Sequence, residues 1–598
     1  MTHPFHSSKA DKVYLLISLV LFCACQSPKQ EQATQSPFEQ VHALYRADLE
    51  DCLAALDSIA AGADAPRHLA LARQAFKKAE PVMAFAENAD FNSLNRPNIL
   101  SITEEDRTDV KVQEAMGMQV LEELIHGEEA IDSTQLRQNL SFIRSRLQFL
   151  LRNSNFEHYK DYHFLWLLQQ EVLRIATTGI TGFDSPVLAA SLTESAFAYG
   201  RLLDFIRIYQ ARFASARLYA DWEQSLTQSI STLSAADFDT FDRYAFIRDH
   251  SNAQLGLIIR TAQDWDIDYP FSMALSNELD NLFSPALANM SHFADPHADA
   301  DNAGKIALGK MLFHDPALSA TGKMSCATCH QESKAFTDGL STFEGQERNS
   351  PTLTYAGLQK AFFHDNRSGS LDGQILSVIH SETEFQTDEA SLLAKLATTG
   401  HYQQQFDSLY SKGMTSATLR NAIANYIRSL NTFDSRFDRN MRGEEESLSP
   451  TEIQGFNLFM GKAACATCHF APLFNGTVPP EYRNTEMELI GVPGTAANQA
   501  VDEDPGRYKV MGTPERKFFF KTPGLRNIAV TAPYMHNGVY PTLEQVMEFY
   551  NNGGGAGMGF DLPLQTLPFD SLGLSDAEQQ AIIAFMHTLT DARYAQQN

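Results

Sequence analysis

Between residue 38 and about residue 280, apolar side chains recur at spacings of three and four. The runs Phe38 to Ala61, His68 to Ala86, Val112 to Ala130, Thr134 to Arg152 and Tyr159 to Thr178 each lay them along one helical face. Pro and Gly fall mostly between these runs. The pattern predicts an all-α bundle of about eight or nine helices. Ahead of it, Lys9 and Lys12 precede an apolar run, Val13 to Ala24, that is too short for a stable membrane span and suits a signal peptide. The run ends Leu21-Phe22-Cys23-Ala24-Cys25, like a lipobox, so Cys25 is the candidate lipidated residue; an ordinary cleaved signal is the alternative. Gln26 to Pro37 then reads as a polar tether. No later stretch is long and apolar enough to predict a transmembrane helix.

Length and charge narrow the picture. At 598 residues the chain exceeds one core and suggests about three or four domains. With 43% hydrophobic residues it is globular. A formal charge of −26 argues against nucleic acid as a partner, which selects basic surfaces. It is compatible with a small basic redox partner, although solubility alone accounts for it equally well.

The cysteines carry the chemistry. Of seven, Cys23 and Cys25 lie in the leader, and Cys52 sits alone in the helical run LYRADLEDCLAALDSIA, where it reads as a packing residue. The other four form Cys326-Ala-Thr-Cys329-His330 and Cys465-Ala-Thr-Cys468-His469. Cys-x-x-Cys-His is the attachment signature of c-type haem: the thiols bond the porphyrin and the adjacent imidazole reaches the iron. Redox dithiols and half zinc sites use Cys-x-x-Cys too, but zinc would need further Cys or His pairs nearby, and none is present. Two covalently bound haem c groups are therefore predicted, on an exported chain.

Two resemblances add to this reading. RQAFKKAEPVMAF and Gly117-Met118-Gln119-Val120-Leu121-Glu122 resemble the imelysin-like helical family of exported bacterial proteins, which carries Gly-x-His-x-x-Glu on a helix. Gln119 stands where the His would be, and an amide is a poor metal ligand. His126 and Glu129, three apart on one helical face, are assigned no role.

From about 300 to 592, LGKMLFHDPALSATGKMSCATCH, RNSPT at Arg348 to Thr352, FFHDNRSGSLDGQ at Phe362 to Gln374 and FKTPGLRNIAVTAPYMHNG at Phe520 to Gly538 closely resemble the bacterial dihaem cytochrome c peroxidase family. The resemblance implies two cytochrome c-like domains after the bundle. The expected division is signal peptide 1–24, tether 25–37, helical bundle 38–280, first haem domain 281–445 and second haem domain 446–598. It further implies that the haem on His330 is peroxidatic and the one on His469 transfers electrons. Gln374 and Glu384 hold the family's places in the peroxidatic pocket, with Glu384 as the acid–base group that moves a proton between the peroxide oxygens; Glu382, two residues away, could compete. An interdomain calcium is also implied, held by the Asn349 side chain and the carbonyls of Thr531 and Pro533.

Three departures from the better-known members matter. QESKAFTDGLSTFEGQE, between His330 and Arg348, contains no His, so the peroxidatic iron is expected to be five-coordinate at rest. The second iron's axial position falls on Tyr550, as in the dihaem enzyme that matures a tryptophan-derived quinone, with Met547 and Met487 as rivals. Phenolate, unlike thioether, stabilises ferric iron and lowers the potential. His364 stands in the place of an inter-haem Trp, where it either relays electrons less easily or serves as a buried hydrogen-bonding residue.

The expected function is reduction of hydrogen peroxide to water, with electrons from a small cytochrome c or cupredoxin, by a periplasmic or outer-membrane lipoprotein of a Gram-negative bacterium, tied to the membrane through Cys25. A related enzyme reading is an oxidase or maturation enzyme using the same ferryl chemistry on a protein or small substrate. The non-enzyme reading is a dihaem electron carrier or sensor; a pure carrier would lack a pocket carboxylate, and Gln374 with Glu384 argues against it.

Overall fold

The computed structural model describes residues 35–128, 132–295 and 302–595. The leader, Cys25, most of the tether and Glu129 lie outside the described residues. The described chain is mainly helical, with two small two-stranded sheets. None of its helices is long and apolar enough to cross a membrane.

The N-terminal part contains α1 (Pro37–Ala60), α2 (Ala65–Ala86), α3 (Met118–His126), α4 (Ser133–Asn153), α5 (Asp161–Arg174), α6 (Ser191–Ile208), α7 (Ala216–Ser234) and α8 (Asn252–Asp264). Ser36 starts α1 with a capping box: its hydroxyl accepts from Glu39 N at 3.2 Å while the Glu39 carboxylate accepts from Ser36 N at 2.5 Å. Two helical expectations need correction. In place of a helix from Val112, β1 (Ser101–Glu104) pairs antiparallel with β2 (Val110–Gln113), and α3 begins only at Met118. β-Branched Val110 and Val112 suit the strand, and Gly117, at φ 139°, breaks any helix continuing from it. A Cβ on Gly117 would lie 2.4 Å from the Leu94 carbonyl oxygen, so that turn admits only glycine. The run predicted to Thr178 stays α-helical to Arg174 and then widens into a π-turn, Ile175–Gly179. Hydroxyls of Thr177 and Thr178 bond back to the carbonyls of Leu173 and Arg174 at 2.8 Å, filling the loosened ladder.

Charged residues cross the core of this bundle. Lys77 bonds Glu80 and Asp184 at 2.7 and 2.6 Å, Arg174 bonds Glu80 and Asp184, and Arg73 bonds Glu194. Burial alone would raise the Asp184 carboxyl, but Arg174 and Lys77 hold it below the usual carboxylate range. Removing one member would strand a buried charge at a cost of about 3–5 kcal/mol.

The remaining chain repeats one helical arrangement, in a first and a second unit. In the first, α9 (Ala303–His314) crosses α11 (Ser416–Arg428), with α10 (Leu371–His380) between them in sequence. In the second, α12 (Pro450–Met460) crosses α14 (Asp576–Thr588), with α13 (Leu543–Asn551) between. Both crossings are closed by a glycine. A Cβ on Gly309 would lie 1.9 Å from the Ala422 carbonyl oxygen, and one on Gly455 1.9 Å from that of Ala581. Leu308, Phe313 and Ile423 belong to a core of their own, whereas Phe456, Phe474 and Phe585 share one core with the N-terminal helices.

Contacts between the N-terminal helices and the second unit are extensive. Arg243 lies against Gly461, and Tyr244 N donates to Asn457 Oδ1 at 2.9 Å. The π-turn at Ile175–Gly179 packs on the turn Cys465–Thr467. The β1–β2 hairpin is fixed by an Arg507–Glu104 pair at 2.8 Å and by Arg516 donating to the Ile102 carbonyl at 2.9 Å.

Candidate dihaem active site

Each Cys-x-x-Cys-His run is a short helical turn that delivers its histidine to the wall of one shared cavity of about 2410 Å³. His330 Nδ1 lies 3.0 Å from the Phe336 carbonyl, and His469 Nδ1 lies 3.0 Å from that of Pro523. A carbonyl can only accept, so Nδ1 carries the proton in both rings and Nε2 keeps its lone pair for a metal. Burial lowers the pKa of His330 and takes that of His469 to about 4, keeping both imidazoles neutral. The loop after His330 turns through left-handed Ala335 and Phe336, at φ 49° and 61°, which brings the Phe336 carbonyl back onto the ring. After His469, Phe474 takes φ 51° in the corresponding turn.

The residues fit two covalent haems. All four thiols, of Cys326, Cys329, Cys465 and Cys468, are free and line the cavity. Phe313, Phe362 and Ile375 give it apolar walls near the first run, and Leu543, Val546 and Met547 near the second. Its volume exceeds twice the roughly 300–1,000 Å³ of one small-ligand pocket. When bound, the haems supply redox-active iron at His330 and His469.

Gln374 and Glu384 both line this cavity, Gln374 from α10 and Glu384 from the loop after it. Burial raises the Glu384 carboxyl, against smaller opposing effects of a Ser381 hydrogen bond and the Arg367 cation. Glu382 is exposed and does not line the cavity, which separates the two candidates.

Tyr550, on α13, also faces the cavity; burial and the neighbouring Cys468 and Cys465 push its phenol up. Met547 and Met487 border the same space. The sequence FHDNRS at 363–368 and its counterpart MHNGVY at 535–540 form matching tight loops, bridged Phe362 to Ser368 and Tyr534 to Tyr540. Each leads into a helix, α10 or α13, capped by Ser370 or Thr542. Four and eight residues after the caps stand Gln374 and Val378 on one helix, Val546 and Tyr550 on the other, and all four line the cavity.

His364 is a half-buried hydrogen-bonding residue: its Nε2 lies 3.0 Å from the Asn349 carbonyl, and desolvation takes its pKa to about 3. Asn349 N donates to the His536 carbonyl at 2.7 Å, and its side-chain Nδ2 donates to the Leu340 carbonyl at 2.7 Å. Asn349, Thr531 and Pro533 reach the same cavity wall. Among the described residues no group of three or more His, Cys, Asp or Glu side chains is arranged for a metal ion. A calcium there would depend on the Asn349 side chain and carbonyl oxygens.

Two features escaped sequence reasoning. Arg348 joins the units, bonding Asp365 at 2.6 Å and Asp504 at 2.6 Å, and His536 stacks on Phe520 at 3.8 Å. The His-Asp-Asn and His-Asn-Gly pair was the available signal. In the bundle, Gln119 donates to the Asn95 carbonyl at 2.9 Å. Both Glu122 oxygens are taken, by Ser185, Val187 N, Leu188 N and Arg73, so this helix is a structural anchor.

The model of the di-haem cytochrome c peroxidase family matches residues 303–446. A cytochrome-c peroxidase, IdrP2, of Pseudomonas sp. (strain SCT) is 33% identical over 316 residues, covering 49% of this chain and 83% of that protein. This chain belongs to the dihaem cytochrome c peroxidase family. The methylamine utilization protein MauG of Paracoccus denitrificans is 33% identical over 359 residues, 50% of this chain and 92% of that protein. Among solved structures, a MauG-like protein associated with microbial copper homeostasis aligns with a TM-score of 0.44 at 26% identity, covering 55% of this chain and 95% of that one. Family membership makes the chain an oxidoreductase of peroxidase type and implies two haem c groups.

Proposed function

We propose that this protein reduces hydrogen peroxide to water at the haem attached to Cys326, Cys329 and His330, with electrons arriving through the haem attached to Cys465, Cys468 and His469. The observation that carries this is a half-buried carboxyl, Glu384, on the wall of the cavity that His330 enters, with Gln374 lining the same cavity and no histidine between His330 and Arg348. Glu384 takes the proton from the nearer peroxide oxygen and returns it to the leaving one. The Gln374 amide orients the substrate, while Phe362 and Phe363 exclude water. The His330 Nδ1–H bond to Phe336 fixes the ring and makes its free nitrogen a stronger donor.

On this reading Tyr550 would help His469 hold the second haem, its phenol favouring the oxidised state, and Asn349 with the Thr531 and Pro533 carbonyls would hold calcium. The donor is a small cytochrome c or cupredoxin. The polypeptide divides into a helical domain to about residue 280 and two cytochrome c-like domains, exported and held at a membrane through Cys25. The two glycine-closed crossings support the twofold division. A second reading, an oxidase or maturation enzyme, is favoured by the Tyr550 phenol beside Cys465 and Cys468. Steady-state assays separate the two: rapid peroxide consumption with a reduced small cytochrome or cupredoxin supports the peroxidase, and its absence in an enzyme that still reacts with peroxide supports the second reading.

A further inference from the structure

Among the described residues lining the cavity, three side chains are phenols, Tyr355, Tyr534 and Tyr550, and none is an indole. A phenol that loses an electron becomes a strong acid, so it gives up that electron readily only where a base takes the proton. Tyr534 donates to the Ile528 carbonyl, which cannot hold a proton, and Tyr550 is assigned above to the second iron. Tyr355 donates to Asp591 Oδ1 at 2.6 Å, a buried carboxylate whose proton affinity burial raises.

Tyr355 also joins the two units. Its segment precedes α10 in the first, while Asp591 follows α14 in the second. On the first side, Thr352 Oγ1 donates to the Ala335 carbonyl at 2.6 Å, next to the Phe336 carbonyl that holds His330, and meets Thr354 Oγ1 at 2.8 Å. Asn527 Nδ2 donates to Thr354 Oγ1 at 3.2 Å and to Asp591 Oδ2 at 2.9 Å. On the second side, Arg526 lies 4.7 Å over the Tyr355 ring and donates to the Pro472 carbonyl, three residues after His469. The Arg526 charge, which would oppose oxidation of the ring, is balanced by two 2.8 Å bonds to Asp438. Tyr355 holds a left-handed backbone, φ 59° and ψ 5°, a strained conformation for a bulky residue and one found where surrounding structure fixes a functional side chain.

We propose that Tyr355 relays electrons between the two haem sites, in place of His364. This rests on the peroxidase reading above. One electron leaves Tyr355 for the peroxide-oxidised first site while its hydroxyl proton passes to Asp591. The second haem, reduced beforehand by the external donor, returns one electron to Tyr355, and the proton comes back from Asp591. Two passes supply the two electrons that, with two solvent protons, convert hydrogen peroxide to water.

The test uses the dihaem protein. With the second haem reduced by ascorbate, stopped-flow mixing with peroxide follows oxidation of that haem. Tyr355→Phe is expected to slow it by about tenfold or more, with the first peroxide step and both reduction potentials unchanged. Asp591→Asn, which keeps the phenol but removes the base, slows the same step. In the all-ferric protein, freeze-quench electron paramagnetic resonance finds a tyrosyl radical that narrows with ring-deuterated tyrosine and is lost in Y355F. A Y355F protein that oxidises its second haem at the wild-type rate overturns the relay, as does a wild-type protein that reacts with peroxide and forms no tyrosyl signal. A wild-type protein inert to peroxide overturns the peroxidase reading and the relay together.

Discussion

Replacing Glu384 by Gln removes one proton-carrying group while keeping the side chain's length and its capacity to bond Ser381. The structure sets the size of the effect. Glu384 is a cavity-wall carboxyl close enough to Cys326 and Cys329 to act on their thiols, and exposed Glu382 does not line the cavity. A positioned acid–base group contributes about 10²- to 10⁴-fold, so the rate of peroxide cleavage falls by that factor, a barrier increase of about 3–5 kcal/mol. Stopped-flow spectroscopy of the all-ferric protein reads the step directly, and absorbance confirms that both haems remain attached. A second signature is pH. Burial raises the Glu384 pKa, and the carboxylate is the form that accepts the proton, so the wild-type rate falls as pH drops through that raised value. Because the folded state binds this proton more tightly than the unfolded chain, the group's contribution to stability is full below its unfolded pKa and fades as pH rises through the folded one. E384Q removes both dependences. Peroxide cleavage at the wild-type rate in E384Q would refute the assigned role.

Gly455→Ala puts a methyl 1.9 Å from the Ala581 carbonyl oxygen, so it should destabilise by about 1–3 kcal/mol or more, seen as a lower melting temperature; an unchanged melt would mean the crossing relaxes freely. Asp438→Ala leaves Arg526 buried without its partner and should cost about 3–5 kcal/mol in chemical denaturation, whereas a loss below 1 kcal/mol would show the pair is solvated. Tyr550→Met exchanges phenolate for thioether and should raise the second haem's reduction potential in a spectroelectrochemical titration; an unchanged potential would remove Tyr550 from the iron.

Much of the site was legible because haem attachment needs covalent chemistry at fixed spacing, which leaves a local mark in sequence. Cys326 to His330 and Cys465 to His469 could be read directly, and the helical period of α1, α2, α4 and α5 was equally local. The β1–β2 hairpin was not, since Val112 fits either period and the deciding fact is Gly117 packed against the Leu94 carbonyl. The family pattern favours Glu384 with Glu382 as its competitor, and the loop after α10 leaves Glu382 exposed while Glu384 lines the cavity. Arg348 with Asp504, and Tyr355 with Asp591, are contacts between residues more than a hundred positions apart, and no periodicity encodes such meetings.

The central claim is that the two haem sites are unequal, one open to peroxide and the other closed by a protein ligand. Rapid-freeze electron paramagnetic resonance of the all-ferric protein, before and within milliseconds after adding hydrogen peroxide, tests it most directly. One high-spin and one low-spin ferric haem are expected at rest, with the high-spin signal lost on mixing. Two low-spin haems that do not respond to peroxide would contradict it.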